Sequence, residues 1–362
     1  MDDLWSAYEA GQPAFLFDKS LDALVSPFSM TDAELLQSVN HPAGALSFAD
    51  RSTLLALNTI RSLDRSVLAG RQVMVSVGSS RGASGLMERS IDYLRIHGKV
   101  QAYSSPMTTL GNLASFISQS LAIDDMEIEH SMTCSTSSQA LLNAVAWLSA
   151  GMAGVAIAGA VETPLTPHNL AQMKALKIYS FARENNDYPV RALDLQKSVP
   201  GLVLGEAAIF TVVEPYNENS ILKIKAYGHA TERQKHPVSV DVQGAGLQTS
   251  MRMALDMAGY DTVDAVICHA TGTVGGDKAE VNAIDAVFRS RPLITSTKWL
   301  TGHTFGAAGM HSLLLAALML DKQTFVHPPY LQKPHIQPAT LRTVMINTLG
   351  FGGQAISLIV EK

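Results

Sequence analysis

Cysteine is nearly missing from this chain: Cys134 and Cys268 are its two examples in 362 residues. Two thiols cannot build a disulfide framework, and neither stands in a paired metal-ligand spacing, which argues against a disulfide scaffold and a structural metal site. The expectation is a reduced, cytoplasmic protein. Charge is also thin, at 16% of residues with a net of −5, so no sequence-wide basic field exists to recruit nucleic acid or an anionic membrane. Aromatic residues make up 6%, which predicts an aliphatic, densely packed core. The most apolar stretch, Ala307 to Leu320, is interrupted by His311 and Ser312 and is too short to cross a bilayer. It reads as a buried helix. The opening residues, MDDLWSAYEAGQ, lack the positive start and apolar run of a signal peptide.

What the sequence does contain is 47% hydrophobic residues and 26 glycines over a length beyond one compact unit. Two halves are expected, 1–217 and 218–362, with a soft joint near Pro215–Ser220. Short β-branched runs recur: VMVSV from Val73, VAIAGA ending at Ala160, IFTVV from Ile209, DAVIC from Asp264, VMIN from Val344 and ISLIV from Ile356. Helical periodicity predicts helices over Arg51–Asp64, Ser137–Ala150, Lys278–Arg289 and Ala307–Leu320. Strands alternating with helices imply an α/β protein with buried sheets. Ala182 to Pro200 is polar, broken by prolines, and reads as a surface loop. One arrangement recurs in both halves: a strand, a small-residue turn bearing a reactive side chain, then an apolar helix. It is carried first by EIEHSM, Thr133-Cys134-Ser135 and SSQALLNAVAWL, then by PLITSTK, Gly302-His303-Thr304 and GAAGMHSLLLAALML.

Cys134 therefore ends a strand and opens a helix. There, free backbone N–H groups and the helix dipole are expected to lower the thiol pKa and to hold an oxyanion. A small buried hydrophobe is the plainer role for a free cysteine. His269 follows DAVIC and precedes a glycine-rich loop, and His303 lies in TGHTFGAAG between a strand and a helix; strand exits are common active-site addresses in α/β sheets. Taken singly each histidine could be structural, but two at equivalent exits together with one cysteine strengthen a catalytic reading. Lys298 would be costly to bury alone, with Glu280 or Asp277 as its natural counter-charge. NTLGFGGQA places Asn347 at a strand end and a glycine turn around Phe351, which can offer N–H groups to an anion and swing an aromatic gate.

Five segments together resemble the elongating, Cys-His-His β-ketoacyl-[acyl-carrier-protein] synthases of the thiolase superfamily. They are MTCSTSSQAL with AGAVE, RALD…GLVLGEAA, HATGTVGGDKAE, STKWLTGHTFGAAG and NTLGFGGQA, in the family's order from about Val73 to Lys362. The resemblance implies a thiolase-like fold of two related α/β halves, with mixed sheets and buried helices layered αβαβα. It implies that Cys134 is acylated and that His269 and His303 assist decarboxylation of a malonyl thioester. The Cys134 and Phe351 N–H groups would form the oxyanion hole, Lys298 and Glu280 would be a supporting charged pair, and Phe351 would be the gate. No metal or redox cofactor is implied.

Departures from the family pattern are the absence of the usual opening strand with its glycine-rich turn, Ala207 for a glycine, Leu349 for an aromatic, an atypical Gln354-Ala355, and Ser312 for an acidic residue. The missing strand leaves a sheet edge that differs or needs covering. The implied function is condensation in fatty-acid, polyketide or polyene synthesis, with acyl and malonyl groups delivered by acyl carrier protein to a homodimer or a heterodimer with a related subunit. The alternative is a non-condensing, chain-length-factor-like partner, whose mark would be loss of the nucleophile. A degradative thiolase would want a second cysteine where Phe351 stands, and the residues at HATGT and GHTFG argue against CoA-using Cys-His-Asn enzymes. Lys174, Lys177 and Arg183 are the candidates for docking an acidic carrier, although scattered surface lysines would look the same.

Overall fold

The computed structural model describes residues 2–39, 45–185, 188–233, 236, 241–332 and 340–362. Two mixed sheets organise the chain. The first holds β3 (Val73–Gly78), β4 (Glu127–His130), β5 (Val155–Glu162) and β7 (Ala207–Val213) in the order β4-β3-β5-β7. The second holds β8 (Lys223–Thr231), β9 (Ala265–Ile267), β10 (Leu293–Thr295), β11 (Thr343–Leu349) and β12 (Gln354–Glu361) in the order β10-β9-β11-β12-β8. A small third sheet joins β1 (Leu16–Asp18), β2 (Ala23–Ser26) and β6 (Leu204–Gly205).

The pairing follows one plan twice. β3 lies parallel to β4 and β5, with β7 antiparallel at the end, and β9 lies parallel to β10 and β11, with β12 antiparallel. β3 and β5 are buried along their whole length, so they read as continuous apolar runs because both faces are covered. Helices Arg51–Ile60 and Asn112–Leu121 pack one side of the first sheet, around Leu55, Ile117 and Val75. Helices Ala245–Ala258 and Val274–Val287 cover the outer side of the second, around Met251, Ile284 and Val266. Between the sheets lie helices Thr136–Ser149 and Ala308–Lys322, packed through Leu141, Leu315 and Met319. The result is five layers, αβαβα.

The two central helices approach closely where both are small. A Cβ on Gly309 would overlap the Ser138 hydroxyl, and Ser137 Oγ accepts from Met310 N–H at 3.1 Å. This contact brings the N-termini of both helices, and the turns before them, to one place.

Several expectations shift. The first predicted helix stops at Ile60, and a separate 3-10 turn covers Arg65–Leu68, N-capped by the Asp64 carboxylate. The predicted Lys278–Arg289 helix begins at Val274 and takes Gly275 and Gly276 into its first turn, so that glycine-rich loop is shorter than the composition suggests. The Ala182–Pro200 stretch is not a plain surface loop. Val190, Ala192 and Leu193 are buried in the second sheet's core, and Lys197 forms a buried ion pair with Asp277 at 2.7 Å. Its polarity misled because Lys197 is satisfied by a buried partner.

Candidate active site

Cys134 sits in a 3-10 turn, Thr133–Ser135, between β4 and helix Thr136–Ser149. Thr136 staples the turn: its hydroxyl donates to Thr133 C=O at 2.7 Å and accepts from Met132 N–H at 2.9 Å. Thr133 itself is left-handed, at φ 49°. His303 comes after β10 and the short helix Lys298–Thr301, ahead of a second 3-10 turn, Phe305–Ala307, whose first residue is also left-handed at φ 38°. His269 follows β9 directly. Parallel strands thus deliver Cys134 and His269 near their carboxyl ends, and the short helix Lys298–Thr301 carries the chain from β10 to His303.

They meet. His303 Nε2 lies 3.1 Å from Cys134 Sγ, the two imidazoles are 5.4 Å apart edge to face, and donor atoms of all three residues fall within 4.8 Å of one another. They line a cavity of about 230 Å³ whose apolar wall includes Met173, Leu176, Ile178, Leu202 and Leu349. Thr271 and Thr273, with hydroxyls 3.2 Å apart, and Phe351 also border it. No other cluster of metal-ligating groups occurs among the described residues, and the buried Lys298 charge, felt at all three sites, works against a cation here.

Burial sets the protonation states. It drives both His269 and His303 well below the usual imidazole pKa, with Lys298 adding in the same direction, so both rings are neutral at pH 7. Burial pushes the Cys134 thiol up to about 12, against the pull of Lys298 and Arg81. The sequence-based expectation of a depressed thiol considered only the helix end, and burial among Val25, Leu170, Met173, Leu202 and Phe305 outweighs it. The resting group is therefore a thiol hydrogen-bonded to a neutral imidazole. Among the described residues, the Nδ1 atoms of both histidines have no partner, so no neighbour locks either tautomer.

Lys298 is 1% exposed and Glu280 2%, yet no ion pair joins them among the described residues. They interact through space: each appears among the charges shifting the other, after burial, which lowers the lysine and raises the carboxyl to about 7. Glu280 instead holds the His269 strand exit, accepting from His269 N–H at 2.9 Å and Ala270 N–H at 2.8 Å. Asn347 lies within β11, short of its end, and donates to Glu280 at 3.2 Å while accepting from Ser357 at 2.8 Å. Asp277, the other candidate counter-charge for Lys298, is taken by Lys197 and by the N–H groups of Leu193 and Gly272. Phe351 is 41% exposed at the tip of the β11–β12 turn. Neither the Phe351 nor the Cys134 N–H is committed to an acceptor among the described residues. Of the docking candidates, Lys174 donates to Leu21 and Asp22 C=O and Arg183 pairs with Asp22, and Lys177 is exposed with no such tie among the described residues.

Sequence reasoning missed Glu162 and Arg81. Glu162 is fully buried and accepts from Gly306 N–H at 3.0 Å and from Ser80 N–H, tying the His303 turn to the loop after β3. Its signal was present: a carboxylate closing an otherwise unbroken apolar strand, VAIAGAVE. Arg81 lies 4.5 Å over the ring of Phe305, which itself packs 5.2 Å from His303.

A model of the β-ketoacyl synthase N-terminal domain matches residues 47–219, and one of the C-terminal domain matches 222–331. The chain is 28% identical over 319 residues to 3-oxoacyl-[acyl-carrier-protein] synthase 1 of Buchnera aphidicola, covering 80% of this chain and 75% of that protein. It is 25% identical over 395 residues to 3-oxoacyl-[acyl-carrier-protein] synthase 2 of Coxiella burnetii, covering 100% and 94%. Among solved structures, the ishigamide ketosynthase/chain length factor superposes with a TM-score of 0.85 at 20% identity, covering 100% of this chain and 95% of that one; the shared architecture is the thiolase-like α/β fold. Paired sheets of matching plan, a cysteine facing two histidines, and family models spanning both halves agree: this chain belongs to the β-ketoacyl synthase family.

Proposed function

We propose that Cys134, His269 and His303 carry out the decarboxylative condensation that defines this family, with an acyl chain held on Cys134 and a malonyl group presented by acyl carrier protein. The observation that carries the proposal is the 3.1 Å contact between Cys134 Sγ and a neutral His303 inside a largely apolar cavity.

With Nδ1 protonated, His303 Nε2 accepts the thiol proton as Sγ attacks the incoming thioester. The tetrahedral oxyanion is met by the uncommitted N–H groups of Cys134 and Phe351. The carrier's thiolate leaves and takes the proton, and an acyl-enzyme remains. When malonyl thioester enters, its carboxylate departs as CO₂ and the electron pair passes to the thioester enolate. Two neutral imidazoles with Nε2–H directed at that oxygen stabilise the charge without protonating the carbon. The carbanion then attacks the acyl carbonyl, the C–C bond forms, and the Cys134 C–S bond breaks. Unlocked Nδ1 atoms permit His303 to serve first as acceptor and then as donor. Glu280 and Lys298 order and polarise this shell without touching the reacting atoms.

The boundary near residue 217 is proposed as the division between a half carrying the nucleophile and a half carrying the histidines, supported by the paired sheets on either side. Carrier protein as acyl and malonyl donor, a homodimer or a pair with a related subunit, and a cytoplasmic setting belong to the same reading. It is supported by the relatives' names, by two free buried thiols, and by the lack, among the described residues, of a helix long and apolar enough to cross a membrane. The non-condensing partner reading is weakened by the retained Cys134.

Intact-mass analysis tests the assignment. Incubation with a panel of acyl carrier proteins is expected to add the acyl mass to the wild-type chain and not to Cys134→Ala, and subsequent malonyl carrier protein is expected to discharge it. An unmodified wild-type chain across the panel would favour the partner-subunit role.

A further inference from the structure

Thr133 combines three features that catalysis as described does not use. It is a β-branched residue held at φ 49°, a region such side chains avoid. Its backbone is fastened from the helix side by Thr136, leaving its side chain to project toward the β11–β12 turn. There its hydroxyl donates to the C=O of Phe351 at 3.3 Å. The facing position is Gly350, where an added Cβ would collide with Thr133 Oγ1 and crowd Met132 C=O at 3.2 Å and Ser135 Oγ at 3.3 Å. The turn is otherwise closed on itself and on the end of β8, through Gly350 N–H to Gln354 C=O at 2.8 Å, Gly353 N–H to Gly350 C=O at 3.0 Å, and Glu232 N–H to Gly353 C=O at 2.8 Å. The Thr133 hydroxyl is thus the side-chain hydrogen bond that joins the nucleophile's own turn to the tip of the loop bordering the cavity.

We propose that Thr133 is a positioning residue that latches the Phe351 turn over Cys134, so that its hydroxyl governs access to the sulfur and the exclusion of water from the acylated thiol. The inference rests on the acyl-enzyme reading for its consequence, but not for its test. With the latch made, Phe351 N–H is held beside the cavity. With it broken, the turn opens about the glycines at 350, 352 and 353, of which the last two already lie at positive φ.

The experiment compares full-length wild type with Thr133→Ser, Thr133→Val and Thr133→Ala. Labelling of Cys134 by N-ethylmaleimide is followed by mass spectrometry of its peptide, and thermal midpoints are measured alongside. Valine keeps the branched shape and loses the hydroxyl, whereas serine keeps the hydroxyl. Labelling is expected to rise about fivefold in the valine and alanine variants, the change in opening equilibrium that loss of one neutral hydrogen bond produces, with serine staying near wild type. The same two variants are expected to hydrolyse a pre-formed acyl-Cys134 faster. Unchanged labelling in the valine variant, or equal increases in serine and valine, overturns the latch.

Gly350→Ala supplies a second arm that disturbs the same contact from the β11–β12 turn. Its methyl would strike Thr133 Oγ1 and break the same contact from the other side, so labelling rises in the single variant and, when Thr133→Ala is added, stays near the larger of the two single effects. Labelling in the double variant that equals the product of the two single effects overturns the proposal. Because the maleimide reaction needs no acyl donor, failure of the latch is distinguishable from failure of the synthase reading, which shows as no acylation of wild-type Cys134.

Discussion

The two sheets share one strand plan and differ by one strand. β3, β4, β5 and β7 correspond in order and direction to β9, β10, β11 and β12, but the second sheet goes on to β8, paired antiparallel along β12, while the first stops at β7. No backbone hydrogen bond to described residues occupies the outer edge of β7. The lesson lies in where the chemistry sits. Cys134 follows β4, His269 follows β9 and His303 follows β10, all on the parallel part of each sheet and away from the edge where the counterpart of β8 would lie. The site is whole without a fifth strand in the first sheet, and the outer edge of β7 is a matter of stability and association.

If the Cys134 turn and the His303 turn divide the labour as proposed, His269→Ala loses condensation by about a thousandfold or more and keeps acyl loading, the scale expected for removing one oxyanion donor. His303→Ala loses condensation to a similar degree and also slows loading, because its Nε2 touches the sulfur. Separate single-turnover assays of loading and condensation check this, and equal loading in the two variants would remove His303 from the first step.

A smaller effect is expected at the strand edges. A proline scan of Ile356 to Ile359 in β12, which is paired on both sides, should cost about 3 kcal/mol or more at each position. The same scan over Ala208 to Val212 in β7 should find alternate positions tolerated within about 1 kcal/mol, where the N–H points outward. Thermal midpoints read the difference, and uniform intolerance along β7 would mean that its edge is paired.

The smallest effect concerns the thiol. A helix end lowers its pKa while burial in the apolar cluster around Leu170, Met173 and Phe305 raises it, and the structure favours burial, with a value of about 12. Alkylation of Cys134 by iodoacetamide should therefore keep rising by about tenfold per pH unit from pH 7 to 9, since the reactive thiolate is a minor species throughout. A plateau below pH 8 would restore the helix end as the dominant influence.

Much of this protein was legible from local rules. Apolar runs located β3, β5, β11 and β12 because buried strands must be continuous hydrophobic segments, and small-residue turns marked Cys134, His269 and His303 because reactive groups at strand exits need room. Other features were not legible. Lys197 lies in a stretch that reads as a surface loop until the fold places Asp277 beside it, Glu162 gained meaning only when Gly306 arrived from the far half, and the Arg51–Ile60 helix stops short of its apolar pattern, with Asp64 capping a separate turn.

The sequence by itself determined the periodicities, the turn chemistry and the residue types, since these act over a few bonds and are written in the order of side chains. The protonation of the thiol, the partners of the buried charges and the meeting of Cys134 with two imidazoles were decided by tertiary structure alone. Each depends on groups apart in the chain, 80 residues for Lys197 and Asp277 and 169 for Cys134 and His303, and the latter distance is fixed only when two central helices pack on a serine and a glycine.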